Sequence, residues 1–181
     1  FIAFFGPLIG IVLGFDAINK ERSARTLSKV ISQPIYRDAV INGKYLAGLF
    51  IVTVMLLGIV LLISGLGLAM IGVVPGPDEV CRLGIYRIIT IFYISFWLGI
   101  SILFSIIFRS IATSALAAIA CWIFFSFFVA IGAGLVSDML APVDQNAVLN
   151  NPEMVIRHEE TRNILSLFSP MTLYSEGTTT V

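Results

Sequence analysis

The feature that most constrains this chain is a set of long stretches without a single ionised side chain. They cover residues 1–15, 45–74, 88–108 and 110–137. A helix needs about 20 apolar residues to cross about 30 Å of hydrocarbon, so each of the last three stretches is long enough to span a membrane alone. The pattern predicts an all-α, polytopic transmembrane helix bundle.

Composition supports the same class. The chain is 58% hydrophobic and 12% charged, with a mean hydropathy of +1.00, whereas soluble domains carry roughly a quarter charged residues. The formal net charge of zero argues against a nucleic-acid partner. Cys81 and Cys121 have no CxxC spacing, so we expect packing rather than a metal site or a disulfide.

We predict one transmembrane domain with spans at about residues 1–18, 45–74, 86–108 and 110–137, followed by an extracytoplasmic segment at residues 138–181. The first apolar run is short, and the chain opens with Phe1 inside it. We therefore expect a fragment of a longer protein. Residues 45–74 would form roughly 45 Å of helix, which exceeds the hydrocarbon thickness, and we expect a bend or an irregular end at residues 64–72.

Basic residues indicate the orientation. Every lysine lies between the first and second apolar runs, where Arg22, Arg25 and Arg37 also lie. Cytoplasmic loops retain such residues, so this loop is predicted to be inside. Alternation then places residues 75–87 outside, the turn at Arg109 inside and the tail outside.

Small residues recur at helical spacing in two of the predicted spans. Gly6, Gly10 and Gly14 form one stripe, and Ser114 and Ala118 repeat the pattern in the last span. Such stripes let another helix approach closely. The alternative is that small residues are simply common in membrane helices, and the sequence leaves both open.

The polar insert at residues 19–34, called here the coupling segment, is predicted to be a short amphipathic helix. Glu21 lies in its first turn and Pro34 forbids its continuation. On a helical wheel the apolar residues lie opposite the basic ones: Ala24, Leu27, Val30 and Ile31 against Arg22, Arg25 and Lys29. Such a short helix needs a surface to lie on, which is lipid headgroups, the span ends or another protein.

Residues 15–49, FDAINKERSARTLSKVISQPIYRDAVINGKYLAGL, resemble the cytoplasmic signature of ABC transporter permeases of the ABC-2 type. The matching elements, in order, are Asp16, Glu21-Arg22, Thr26-Leu27, Ser32 and Pro34 with Arg37, and Gly43-Lys44. Arg25 departs from the pattern, since many relatives have Gly before Thr-Leu. Weaker similarity follows at residues 105–118, around the inner turn, and at residues 167–177.

The resemblance implies a permease with six spans per subunit and two subunits per transporter, of which this chain holds spans two to five. It implies that the coupling segment docks on a separate cytoplasmic ATP-binding subunit. The docking residues would be Glu21, Arg22, Arg25, Thr26, Leu27, Lys29, Val30, Ile31, Pro34 and Arg37. Asp16, paired with Lys20 or another nearby base, and Lys44 would anchor the inner loop.

The same resemblance places the chain in the cell membrane as a multi-pass exporter subunit that contacts lipid and a second permease subunit, with ATP and Mg on the partner. The chain itself has no G-x-x-x-x-G-K-[ST], HExxH or GxSxG motif. We expect no catalytic residue, cofactor or metal here. His158 lies in a charged stretch, HEETR, and is expected to be solvated.

Two other classes stay open. An ATP-independent channel or secondary carrier is the first alternative, its inner helix resting on lipid, and an intramembrane enzyme is the second. Carriers usually place ionisable residues or broken helices at the midplane. We expect the middle of every span to lack charge, which favours the permease.

Overall fold

The computed structural model describes residues 2–24, 37–72, 76–140 and 169–179. Within these ranges the regular secondary structure is helical throughout and no strand occurs. Four helical segments are long and apolar enough to cross a membrane, namely Ile2–Ser23, Asp38–Met70, Pro77–Ile107 and Ile111–Phe128. The predicted all-α polytopic bundle is confirmed.

Seven α-helices and one π-helical segment make up the described chain. They are α1 Ile2–Gly14, α2 Asn19–Ser23, α3 Arg37–Ile71, α4 Pro77–Ile107, α5 Ile111–Ile123, the π-helical segment Phe124–Phe128, α6 Val129–Leu140 and α7 Pro170–Thr179. The described residues up to Ile119 form one compact unit, and those from Ala120 to Thr179 form a second.

Local sequence signals mark the ends of the two longest helices. α3 runs as α-helix through Gly65 and Gly67 and ends at Ile71, just before Gly72, whose φ of 72° lies in the left-handed region that glycine adopts without strain. The irregular end expected within residues 64–72 is therefore confined to its last residue. α4 begins at Pro77, and the Glu79 carboxylate accepts the Gly76 backbone N–H at 3.1 Å.

α4 is the central helix of the first unit. Trp97 and Leu98 are buried on it, and Ile94 joins Val52 and Leu56 of α3 in an apolar cluster. Gly48 of α3 lies against Leu98, whereas the later Val52 and Leu56 cluster with the earlier Ile94, so the two helices run antiparallel. In contrast, much of α3 is exposed, including Phe50 at 70%, as expected of a helix that faces lipid.

α1 packs along α4 in parallel through the predicted glycine stripe. A Cβ added at Gly10 would lie 2.7 Å from the Ile94 carbonyl oxygen, and one at Gly14 would lie 2.8 Å from Ser101 Cβ. Gly6 likewise faces Ile94. Because a side chain at Gly10 or Gly14 would meet backbone or Cβ atoms, these two glycines permit a close helix contact.

Hydroxyl groups of α4 complete this contact. Pro7 lies inside α1 and lacks a backbone N–H, so the Ala3 carbonyl cannot form its usual helix hydrogen bond. The Tyr93 hydroxyl donates to that carbonyl at 2.7 Å. One helix turn before α1 ends, the Ser101 hydroxyl donates to the Ile11 carbonyl at 2.9 Å. The Ala3 carbonyl is thus satisfied from the neighbouring helix, whereas the Ile11 carbonyl, which also accepts the Phe15 N–H at 2.9 Å, gains a second hydrogen bond.

In the second unit, α5 continues through the π-helical segment into α6. π-Helical turns leave carbonyls without their ordinary helix partner. The Ser169 hydroxyl donates to the Phe125 carbonyl at 3.2 Å, immediately before Pro170 starts α7. Ser169 is 1% exposed and Tyr174 of α7 is 5% exposed, so the start of α7 is firmly held within this unit.

Candidate functional site at the basic end

The basic end of the first unit comprises α2, the start of α3 and the connection at residues 108–110. It contains the described part of the coupling segment, residues 19–24, together with the predicted anchors. Four turn residues, 15–18, separate α1 from α2. The side chains here are polar and charged, in contrast to the apolar surfaces of the spans.

Ser105 of α4 holds the first residues of α2. Its hydroxyl oxygen accepts the backbone N–H groups of Ile18 at 3.1 Å and Asn19 at 3.3 Å. The first N–H groups of a helix have no partner inside the helix, and no side chain of α2 supplies a cap at this position. Ser105 therefore acts as an N-terminal cap provided by another helix.

Asn19 and Arg22 tie α2 to the connection that follows α4. Asn19 is fully buried, and its side-chain amide donates to the Ser110 carbonyl at 3.3 Å. The Arg22 guanidinium donates to the Phe108 carbonyl and to Asn19 Oδ1, both at 3.4 Å. The inner turn that contains Arg109 and the coupling segment are thus joined by hydrogen bonds.

Lys44 joins α2 to α3. Its ammonium group lies 2.7 Å from a Glu21 carboxylate oxygen and also donates a short hydrogen bond to the Ala17 carbonyl. The two side chains are 24% and 28% exposed, so the ion pair is only partly accessible to water. Such a pair is worth more than one that is fully solvated.

Asp16 and Lys20 line a cavity of about 500 Å³ that Glu21 and Lys44 also line. The expected pair between Asp16 and Lys20 is not formed, and Asp16 makes no ion pair with any described residue. The ion pair that forms here joins Glu21 to Lys44 and so connects α2 to the start of α3. The cavity is open and charged on one side.

The predicted docking residues are distributed unevenly. Glu21 and Arg22 have their side chains engaged within the unit, and Arg37 is the first residue of α3. Seven others lie outside the described residues: Arg25, Thr26, Leu27, Lys29, Val30, Ile31 and Pro34. Of the packing residues in the last span, Ser114 and Ala118 are both fully buried on α5.

Sequence reasoning missed Arg87. It was assigned to an outer loop, yet it lies inside the span Pro77–Ile107, and its guanidinium donates to the Thr53 carbonyl of α3 at 3.2 Å. Residues 88–108, which include the middle of this helix, carry no charge, so the expectation for the middle of the spans stays a prediction. Helix α4 begins at the Pro77-Asp78-Glu79 capping sequence, which could have signalled an earlier start.

Ser105 was also missed as a site residue. Its signal was its position four residues after Ser101, which places both hydroxyls on one face of α4. Small polar residues at this spacing in a membrane helix commonly face another helix.

A search for related families identifies the chain. The family described as ABC-2 family transporter protein matches residues 1–181. No curated protein matches the chain, and no solved structure does either. The chain belongs to the ABC-2 transporter family, and it is an integral, multi-pass membrane subunit of an ABC transporter. In general, such subunits work with an ATP-binding partner subunit.

Proposed function

We propose that this chain moves a substrate across the cell membrane, in the export direction, using ATP hydrolysis on a separate cytoplasmic subunit. ATP and Mg would bind that subunit and not this chain. Two permease subunits would enclose the substrate path. The coupling segment, residues 19–34, would be the docking element that receives the movement of the ATPase.

The observation that carries the proposal is the attachment of α2 to two spans. Ser105 connects its start to α4, and the Glu21–Lys44 ion pair connects it to α3. A force applied to the coupling segment would therefore act on both helices together. Transmission of a partner's closure requires this kind of connection, since a freely hinged segment would absorb the movement.

The engaged side chains divide the coupling segment into two parts. Glu21 and Arg22 hold α2 to the spans, which leaves the later residues for the partner. Leu27, Val30 and Ile31 form the apolar stripe on the predicted helix, and this stripe is the proposed contact with the ATPase. Arg25 and Lys29 would form its polar rim.

The test is co-purification of the full-length permease with its ATPase subunit after Leu27→Asp or Val30→Asp. A carboxylate in the apolar contact is expected to abolish co-elution, because a charge would be buried without a partner. Ser32→Asp adds the same charge away from the stripe and is expected to leave co-elution intact. Retained binding in both stripe variants would overturn the docking surface.

Arg87 favours one second candidate, an ATP-independent carrier. Charged residues within spans are typical of carriers that bind ions or substrate near the midplane. The two functions differ in their energy source. Transport by the reconstituted full-length complex that requires ATP and stops with vanadate supports the permease, whereas transport driven by an ion gradient alone supports the carrier.

A further inference from the structure

A second cavity lies between α3 and α4, away from the basic end. Its volume is about 260 Å³ and its surface is predominantly apolar. The apolar side chains that line it include Leu56, Ile59, Val60, Ile63 and Leu83. Among the described lining residues, Arg87 carries the only charge.

The Arg87 guanidinium contacts α3 inside the long uncharged run of that helix. Its hydrogen-bond acceptor, Thr53, comes nine residues after Lys44 in α3, which corresponds to about 14 Å along the helix axis. The hydrocarbon layer is about 30 Å thick. Arg87 itself lies at the boundary of the uncharged run 88–108, and its side chain reaches apolar groups of α3, where a charge is unfavourable without a partner.

The hydrogen-bonding capacity of Arg87 is only partly used. One Nη group donates to the Thr53 carbonyl, while Nε is buried and has no partner among the described residues. No carboxylate of the described chain pairs with Arg87. A guanidinium presents its N–H groups as a planar fork that fits a carboxylate or a phosphate with two hydrogen bonds.

We infer that this groove binds an acidic amphiphile, with its anionic head on Arg87 and its hydrocarbon chain along the apolar side chains of α3 and α4. The charge of Arg87 calls for the anionic head, and the apolar lining calls for the hydrocarbon chain. The anionic head supplies the missing charge and hydrogen-bond acceptors, and the chain fills a surface that offers few polar groups. The inference goes beyond the proposed function and needs neither ATP nor the ATPase subunit.

Photolabelling of the full-length permease in phosphatidylcholine nanodiscs tests the site. The probes are a fatty acid with a diazirine on its chain and the fatty alcohol of the same length. The acid is expected to label α3 and α4 peptides about tenfold more than the alcohol, as a charge-assisted hydrogen bond would give. Equal labelling by acid and alcohol would overturn the inference.

Arg87→Gln is expected to remove the preference for the acid, and Arg87→Lys to retain most of it. Arg82→Gln is the matched control, since it removes one positive charge from an exposed position on the same helix. A purely structural Arg87 would make Arg87→Gln less stable without changing the acid-to-alcohol ratio, and that result would overturn the site.

If Arg87→Gln does not fold, Val60→Trp provides the test, because it narrows the groove and keeps the charge. Acid labelling is expected to fall, and unchanged labelling would contradict the proposed position.

A second pair of probes, photoactivatable phosphatidylglycerol and phosphatidylcholine, distinguishes a bilayer lipid from a single-chain acid as the ligand. Preferential labelling by phosphatidylglycerol indicates a bilayer lipid, and preference confined to the fatty acid indicates a single-chain ligand; either outcome supports the site. The experiment contains no nucleotide, so its failure would not bear on ATP coupling.

Discussion

The two helix contacts of α4 differ in how they exclude water and lipid. Against α1, glycines bring the backbones together, and hydroxyls of α4 donate to backbone carbonyls of α1. Against α3, the contact is close only around Gly48 and the Ile94 cluster, and farther along it opens into the groove that contains Arg87. The α1–α4 contact is therefore closely packed, whereas the α3–α4 contact leaves an open groove.

The difference bears on the proposed transport, because a transporter needs some helix contacts that stay fixed and others that can change. Helices α1, α2 and α4 are joined at several levels, from Tyr93 to Ser105, so they are expected to move as one body. The α3–α4 contact has fewer such bonds among the described residues, and its principal long-range polar bond is from Arg87. Relative movement is therefore expected between α4 and the part of α3 beyond Leu56, whereas the start of α3 is held to α2 by the Glu21–Lys44 ion pair.

The largest effect is expected from Gly10→Ala. The new Cβ would lie 2.7 Å from the Ile94 carbonyl oxygen and 3.0 Å from the Leu98 backbone nitrogen, and backbone atoms cannot rotate away. We expect the free energy of unfolding to fall by about 3 kcal/mol, the upper range for overpacking. Denaturation of the full-length protein in mixed micelles measures it.

Gly58→Ala is the control for this prediction. Nothing lies within 4 Å of a Cβ added at Gly58 in α3, so the change should be neutral or stabilise the helix by up to about 1 kcal/mol. If Gly10→Ala is tolerated as well as Gly58→Ala, then α1 and α4 do not pack through the glycine stripe.

Ser105→Ala is expected to have the second-largest effect. It leaves the N–H groups of Ile18 and Asn19 without an acceptor in a buried position, which costs about 2 kcal/mol for groups of this kind. Hydrogen exchange of these two amides should also accelerate. The measurement combines unfolding in mixed micelles with exchange detected by mass spectrometry.

Ser95→Ala is the matched control, because Ser95 is also buried on α4 but donates only to the Phe92 carbonyl of its own helix. A smaller loss of stability and unchanged exchange at residues 18 and 19 are expected. Equal effects of the two substitutions would mean that Ser105 does not cap α2.

Much of the fold could be predicted from the sequence because membrane insertion depends on long apolar runs, which are local features. The glycine stripe was likewise visible in the sequence, but its partner was not, since the residues that face it are about 90 positions away. Arg87 was misplaced for a related reason. Charge alone suggested a loop, whereas the helix start at Pro77 and the contact with Thr53 place it in a helix that packs on α3.

At the basic end, the sequence indicated the correct region but not the pairing. Asp16 and Lys20 are four residues apart, which favours an ion pair within one continuous helix. The Lys20 backbone N–H donates to the Asp16 carbonyl at 2.9 Å, so the helical spacing is kept, yet the two side chains form no ion pair. Lys44 reaches Glu21 from another helix, and no local rule predicts such a pair.

The smallest effect is expected from the Glu21–Lys44 ion pair, measured with a double-mutant cycle of Glu21→Gln and Lys44→Met. Because both side chains are partly exposed, the coupling energy should be about 0.5–1 kcal/mol and should decrease as salt is raised. The same cycle with Asp16→Asn and Lys20→Met is the control, and its coupling should be indistinguishable from zero. Stronger coupling in the control than in the Glu21–Lys44 cycle would show that Asp16 is the anchor of the coupling segment. The result also bears on transport, since a coupling segment held only by Ser105 would transmit movement to α4 and leave α3 behind.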